Sequence, residues 1–243
     1  MSKAENLDPR EAERFDELAS RWWDPEGECR PLHDINGPRA DYIATRARLD
    51  GARALDVGCG GGLLSEALAE RGARVTGIDV ARRALSVAEM HRHQSGLEIE
   101  YRNITAESLA LEINDGEIEE GPERFDVVCC LEMLEHVPRP WQVVEACAAL
   151  TRPGGQVFFS TINRSALAWM AAIAGAEYLL RLLPRGTHRY DRLIKPSELA
   201  AWCRTAGLTV HDITGMDYNP FSRTVRIGSP PRVNYLLHAE RPE

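Results

Sequence analysis

The sequence predicts an α/β fold: a doubly wound, mostly parallel sheet with helices packed on it. Three observations carry this. From Arg53 onward short apolar runs alternate with helix-length segments, the pattern of repeated βα units. A glycine-rich turn, Gly58-Cys59-Gly60-Gly61-Gly62, directly follows the first of those runs. The chain has 243 residues, which suits one large α/β domain with a substantial core and falls short of two.

The elements follow in order. Residues Ala4 to Trp23 predict an amphipathic helix, with Phe15, Leu18, Ala19 and Trp22 at helical spacing and Pro25 closing it. A second helix is expected from about Pro38 to Ala47, so that residues 4–50 form a helical cap. Strands are expected at Arg53–Val57, Val75–Ile78, Glu98–Arg102, Phe125–Cys130 and Gln156–Thr161, with helices at Gly62–Glu70, Arg82–Gln94 and Trp141–Leu150 between them. Asn114 to Arg124 carries five carboxylates with two glycines and a proline, and reads as a solvated acidic loop. After Thr161 the rhythm breaks into an insertion over 163–195, a long apolar segment followed by Pro184-Arg185-Gly186 and a polar turn. A helix then starts near Pro196, where proline suits the first position and Glu198 favours the helix N-terminus, and runs to Thr205. Final strands near Leu208–Ile213 and Val233–Glu240 bring the sheet to seven.

Composition narrows the function. The balance of 29 Lys and Arg against 37 Asp and Glu, a net charge of −8, provides no basic field for nucleic acid, which is not expected as a partner. Six cysteines without a C-x-x-C pair read as reduced thiols of a cytosolic protein. Residues 1–14 are acidic and polar, unlike a secretory signal. The longest uncharged stretch, Ser165 to Ala176, falls well below the roughly 20 apolar residues of a bilayer span.

The glycine turn lies between a buried strand and a helix, where missing Cβ atoms let a ligand approach the backbone and the helix end offers free N–H groups. Asp79 ends the next strand, 21 residues after Gly58, where a carboxylate can accept hydrogen bonds from both ribose hydroxyls. That combination points to an adenosine site. The dinucleotide fingerprint G-x-G-x-x-G is not met, because Leu63 follows Gly62, and Asp56 just before the turn would repel a pyrophosphate. A carboxylate there suits a cationic sulfonium ligand that also carries an ammonium group. The expected cofactor is therefore S-adenosylmethionine.

The motifs Leu55-Asp56-Val57-Gly58-Cys59-Gly60-Gly61-Gly62, Val75-Thr76-Gly77-Ile78-Asp79, Phe125-Asp126-Val127-Val128 and Pro153-Gly154-Gly155 resemble the ordered motifs of class I, Rossmann-like methyltransferases. More narrowly, Trp22-Trp23-Asp24, Glu132-Met133-Leu134-Glu135-His136-Val137, Phe158 to Arg164, Gly186-Thr187-His188, Ile194-Lys195-Pro196 and Tyr218-Asn219-Pro220 resemble the ubiquinone-biosynthesis O-methyltransferase family. The likeness covers nearly the whole chain. It implies cofactor roles for Arg39, Gly58, Asp79 and Leu131, to which the glycine turn adds Asp56 and Gly60, and it makes Ala106-Glu107 the segment bordering the adenine; a plain polar loop at a strand end is the alternative there. It further implies methylation of phenolic hydroxyls on a polyprenyl catechol intermediate and on demethylubiquinol. Contacts with other enzymes of quinone biosynthesis fit the same picture.

A phenol with a pKa near 10 is mostly protonated at neutral pH, so its proton must be removed or its oxyanion stabilised. Glu132, Glu135 and His136 follow the fourth strand at i, i+3 and i+4, at the sheet edge where such folds bind ligands. If helical, the three face one point and suit a divalent cation, Mg²⁺ for the carboxylates, with the histidine leaning toward Zn²⁺ or Mn²⁺. The alternative is a Glu-His pair that caps the next helix or lines the cofactor pocket without metal, and both stay open. His136 as general base serves under either. His188 and Tyr218 come second, as acceptor-pocket residues.

The segment Ser165 to Pro184 is rich in Leu, Ala, Trp and Met, with Glu177 and Arg181 at i, i+4. One reading is a helix over the acceptor site. The other is an interfacial helix with Trp169, Tyr178, Arg181 and Arg185 at the headgroups, which would carry a cytoplasmic enzyme to the inner face of the membrane where a polyprenyl acceptor resides. Rival functions are a methyltransferase for another small molecule and a non-catalytic scaffold of a quinone-synthesis complex.

Overall fold

The computed structural model describes residues 6–114, 124–165, 168 and 190–243. Most of 114–124, most of 165–184, and His188 lie outside these residues. At the centre of the sheet, β1 (Arg53–Val57) pairs in parallel with β2 (Arg74–Asp79), which pairs with β3 (Ile99–Asn103). On its other side β1 pairs with β4 (Phe125–Leu131), and β4 with β5 (Thr151–Ile162), again in parallel. The chain thus winds outward from β1, crosses back and winds the other way, opening a crevice at the carboxyl ends of β1 and β4. Antiparallel strands finish the sheet: β8 (Asn234–Glu240) beside β5, then β6 (Thr209–Asn219), then β7 (Thr224–Ser229).

The sheet therefore has eight strands in the order β3-β2-β1-β4-β5-β8-β6-β7, not seven. The extra strand, β7, alternates half-buried and exposed residues along Thr-Val-Arg-Ile-Gly-Ser, too polar to read as a core strand. It forms a hairpin with β6, which runs six residues past the expected end at Ile213.

Helices cover both faces because side chains alternate along each strand. Leu55, Val128, Val157 and Phe159 point to one face, packed with Leu109 of α5 (Ala106–Asn114), Val143 and Cys147 of α6 (Pro140–Leu150), and Leu199 and Cys203 of α7 (Pro196–Thr205). Ala54, Val127, Cys129 and Phe158 point to the other, with Tyr42 and Ile43 of α2 (Arg30–Ala44) and Leu64 and Leu68 of α3 (Leu63–Ala69); α4 (Arg82–Ser95) connects β2 to β3. All six cysteines are buried and unpaired. No helix among the described residues is long and apolar enough to cross a membrane.

The N-terminal region departs most from expectation. Helix α1 spans only Pro9–Leu18, capped by the Asp8 carboxylate accepting from the Arg10 amide at 3.2 Å, and gives way to a tight 3₁₀ turn at Ala19–Arg21. Helix α2 begins at Arg30 with Pro31 in its first turn, and Pro38 lies inside it. The rule that proline opens a helix holds, but for the earlier proline. Helix α5 was not foreseen; the sequence suggested only a segment at a strand end.

Candidate active site

The glycine turn after β1 is held open from below. The Gly58 and Cys59 amides both donate to the Ile78 carbonyl at the end of β2, at 2.8 and 3.1 Å. The Gly60 amide donates to Asp79 Oδ2 at 2.8 Å, and the Ala81 amide to Asp79 Oδ1 at 2.8 Å. Gly58 and Gly60 have φ of +74° and +54°, which only glycine adopts freely. A Cβ on Gly60 would lie 2.2 Å from the Trp22 ring, and one on Gly58 2.6 Å from Met133 Cγ. The turn is bare because two side chains already rest on it.

Two carboxylates stand at this turn, and no cation among the described residues offsets either. Asp56 is 2% exposed and accepts from Ser65 Oγ at 2.7 Å. Burial, opposed by that hydrogen bond and aided by repulsion from Asp79, pushes Asp56 up to about 7. Asp79 faces the cavity but is enclosed enough that desolvation raises it too, against three backbone amides that favour its charge. Each Asp79 oxygen keeps a second lone pair for a ribose hydroxyl. Such a pair of under-compensated acids fits a cationic ligand and would reject a pyrophosphate.

At the end of β4 the chain does something the sequence did not signal. Glu132 takes φ +53°, rare for a residue with a side chain, and Leu134–His136 form a 3₁₀ turn, not an α-helix. The turn sends the three expected metal ligands in separate directions. Glu132 Oε1 accepts from Arg39 Nη2 at 2.6 Å and from Ser160 Oγ at 2.7 Å. Glu135 Oε2 accepts from Thr161 Oγ1 at 2.7 Å, while its Oε1 is buried with no partner among the described residues. His136 Nδ1 bonds Glu11 Oε2 at 2.8 Å. Among the described residues no cluster of three ligating side chains is placed to hold a metal ion. The i, i+3, i+4 convergence expected of a helix is therefore absent among the described residues.

The electrostatics of this second group differ from those at the glycine turn. Burial and the neighbouring Glu132 push Glu135 up to about 7. Burial pulls His136 down, but the Glu11 hydrogen bond and the charge of Glu135 outweigh it, leaving the imidazole above its ordinary value. Arg39 is buried, which lowers it, and is held charged by Glu132 and Glu135; its Nε–H has no partner among the described residues.

One cavity of about 650 Å³ joins the glycine turn to the end of β4, within the size range of small-molecule sites. Arg39, Asp56, Gly58, Gly60, Asp79, Ala106, Glu107, Leu131, Glu132, Glu135, His136 and Tyr218 all border it; His188 lies outside the described residues. Ala106 and Glu107 border it from the first turn of α5, with Glu107 Oε1 accepting from Asn6 Nδ2 at 2.8 Å. Tyr218 donates to Asp34 Oδ2 at 2.7 Å and is pushed up to about 12, by burial and then by that bond, so it serves as wall and not as base. Sequence reasoning missed the cap's share of the lining: Glu11 and Phe15 from α1, Trp22 after it, and Leu32 and Ile35 from α2. Phe15 and Trp22 had signalled only as an apolar stripe, and Trp22 also as part of a family motif; nothing marked Glu11, Leu32 or Ile35.

A pH effect follows from Asp56. A cation bound beside it would lower its pKa and expel the proton that the free protein carries below about 7. S-adenosylmethionine should therefore bind more tightly as pH rises from 6 to 8, by up to about tenfold per unit for one linked proton. Calorimetry at pH 6 in buffers of different ionisation heat should register proton release; none would remove the linkage.

Comparisons with known proteins place the fold and the family. The sequence profile of a methyltransferase domain matches residues 10–213. Magnesium protoporphyrin IX methyltransferase from Synechocystis PCC 6803 with bound SAH has the same fold, with a TM-score of 0.65 at 18% identity, covering 94% of each chain. A SAM-dependent methyltransferase from Thermotoga maritima gives a TM-score of 0.61 at 16% identity, covering 94% of this chain and 97% of its own. Fold, cavity and profile define a methyltransferase. At the level of sequence, curated relatives from Pseudomonas fluorescens (strain Pf0-1) and Pseudomonas putida (strain W619), both called ubiquinone biosynthesis O-methyltransferase, are each 55% identical over 238 residues, covering 98% of this chain and 99% of theirs. The chain belongs to the ubiquinone biosynthesis O-methyltransferase family.

Proposed function

We propose that this protein methylates phenolic hydroxyls of a polyprenyl catechol intermediate and of demethylubiquinol, in a single catalytic domain with its cap at 4–50 and its insertion at 163–195. The observation that carries this reading is the shared cavity, which joins an acidic glycine turn to His136 and to an apolar wall of Leu32, Ile35, Ile162, Met216 and Val233. Asp79, Gly60 and Ala106 would hold the adenosine, Asp56 the ammonium group and Arg39 the carboxylate. S-adenosylmethionine supplies an electrophilic methyl group on a sulfonium. With Nδ1 donating to Glu11, His136 would present the Nε2 lone pair to accept the phenolic proton; the donor, when bound, would give its methyl group to that oxygen as the S–C bond breaks and its electron pair stays on sulfur, leaving a neutral thioether. The apolar wall orients the ring and excludes water that would solvate the phenolate.

Phe221, 79% exposed at the tip of the β6–β7 hairpin, stands at the cavity rim and extends its apolar surface outward, as an acceptor with a long isoprenoid tail requires. Membrane contact through 165–184 at the cytoplasmic face belongs to the same reading and is supported by the Ala- and Leu-rich sequence alone. Replacing Leu179, Leu180, Leu182 and Leu183 with Ser should abolish liposome co-sedimentation while donor affinity stays intact.

The function is tested by offering the purified protein a short-chain demethylquinol and a catechol analogue, with and without EDTA. Methylation of both, each inhibiting the other, supports the reading; methylation of neither overturns it. Loss with EDTA and rescue by Mg²⁺ would restore the metal at Glu132, Glu135 and His136.

A further inference from the structure

We propose that Glu11, on the cap helix, is the positioning residue that fixes the His136 imidazole for proton transfer, so that the base is oriented only when the cap is docked on the sheet. This rests on His136 acting at the acceptor.

The two residues are 125 apart in sequence and belong to different layers of the protein. His136 ends a 3₁₀ turn at the sheet edge, and Glu11 sits in the first turn of α1. The Nδ1 to Oε2 distance is 2.8 Å. A carboxylate acceptor on Nδ1 selects the tautomer with its proton there and leaves the lone pair on Nε2, the nitrogen a general base must use. A second restraint comes from the same helix, since the Phe15 ring meets the imidazole edge to face at 5.0 Å and 86°. The hydrogen bond fixes the ring's rotation, and the phenyl ring fixes its tilt.

The helix that supplies both restraints is fastened independently of them. Asp8 Oδ2 pairs with Arg192 Nη2 at 2.7 Å, and Asp16 Oδ1 accepts from the Arg83 amide at 2.7 Å. Asn6 bonds both ways with the backbone of Arg139, at 2.9 Å each. These bonds reach three separate parts of the fold, so α1 does not need the Glu11 contact to stay in place. Glu11 can therefore be removed without undocking the cap, and a purely mechanical role would leave little trace. An orienting role would leave a large one.

The test is a double-mutant cycle of Glu11→Ala with His136→Ala, alongside Glu11→Gln, measuring kcat, KM for S-adenosylmethionine and thermal stability. Glu11→Ala should lower kcat on the order of tenfold to a hundredfold, the usual cost of losing a group that orients a functional histidine, with KM and melting temperature little changed. Glu11→Gln, whose amide oxygen still accepts from Nδ1, should recover most of the loss. In the His136→Ala background Glu11→Ala should cost nothing further. Full kcat in Glu11→Ala, or an equal loss in both backgrounds, would overturn the proposal while leaving His136 as base. If His136→Ala alone keeps full kcat, the underlying reading fails and the proposal with it.

Discussion

Asp79→Ala should weaken S-adenosylmethionine binding by at least about a hundredfold. The carboxylate offers a charged acceptor to two ribose hydroxyls, and hydrogen bonds to charged groups contribute about 1.5–3 kcal/mol each. It also holds the turn, accepting from the Gly60 and Ala81 amides at 2.8 Å, so its removal loosens the backbone against which the ligand lies. Equilibrium dialysis measures the loss, and circular dichroism melts separate it from unfolding. Asp79→Asn should be nearly as weak, because an amide group cannot accept at both positions. Binding within threefold of wild type in Asp79→Ala would detach the adenosine from this strand end.

His136→Ala should reduce kcat by about 10²–10⁴, the range for losing a general base, with donor affinity unchanged. The imidazole is enclosed, and the nearby Glu135 carboxyl is tied through Oε2 to Thr161 and pushed up to about 7. Tyr218 is engaged with Asp34, and Glu135 has Oε2 tied to Thr161 and Oε1 shut away from solvent, which leaves His136, among the described residues, as the base presented to the acceptor. Single-turnover transfer with saturating donor isolates this step from product release. A His136→Ala enzyme with wild-type single-turnover rate would mean that the phenol ionises without help from this residue.

The donor half of the site was legible in the sequence because it is local. A strand, a glycine turn and an acid at the next strand end lie within Arg53 to Asp79, and the parallel sheet fixes their spacing. The acceptor half is assembled from segments far apart, and only its family motif could be seen. Glu132 to His136 read as a helix by spacing, whereas the positive φ at Glu132 turns the segment into a single 3₁₀ turn and separates the three side chains. No residue pattern announces a strained φ. The cap was visible as an amphipathic helix, but its partner was not, because an apolar stripe does not say which surface it meets. The same limit hid β7, whose half-buried face depends on a hairpin with β6.

The most direct measurement is a structure with S-adenosylhomocysteine bound. The ribose hydroxyls are expected on Asp79, the adenine beside Ala106, the amino-acid end between Asp56 and Arg39, and the thioether sulfur facing the His136 side of the cavity. A ligand lodged elsewhere, or one leaving Asp79 untouched, would contradict this placement.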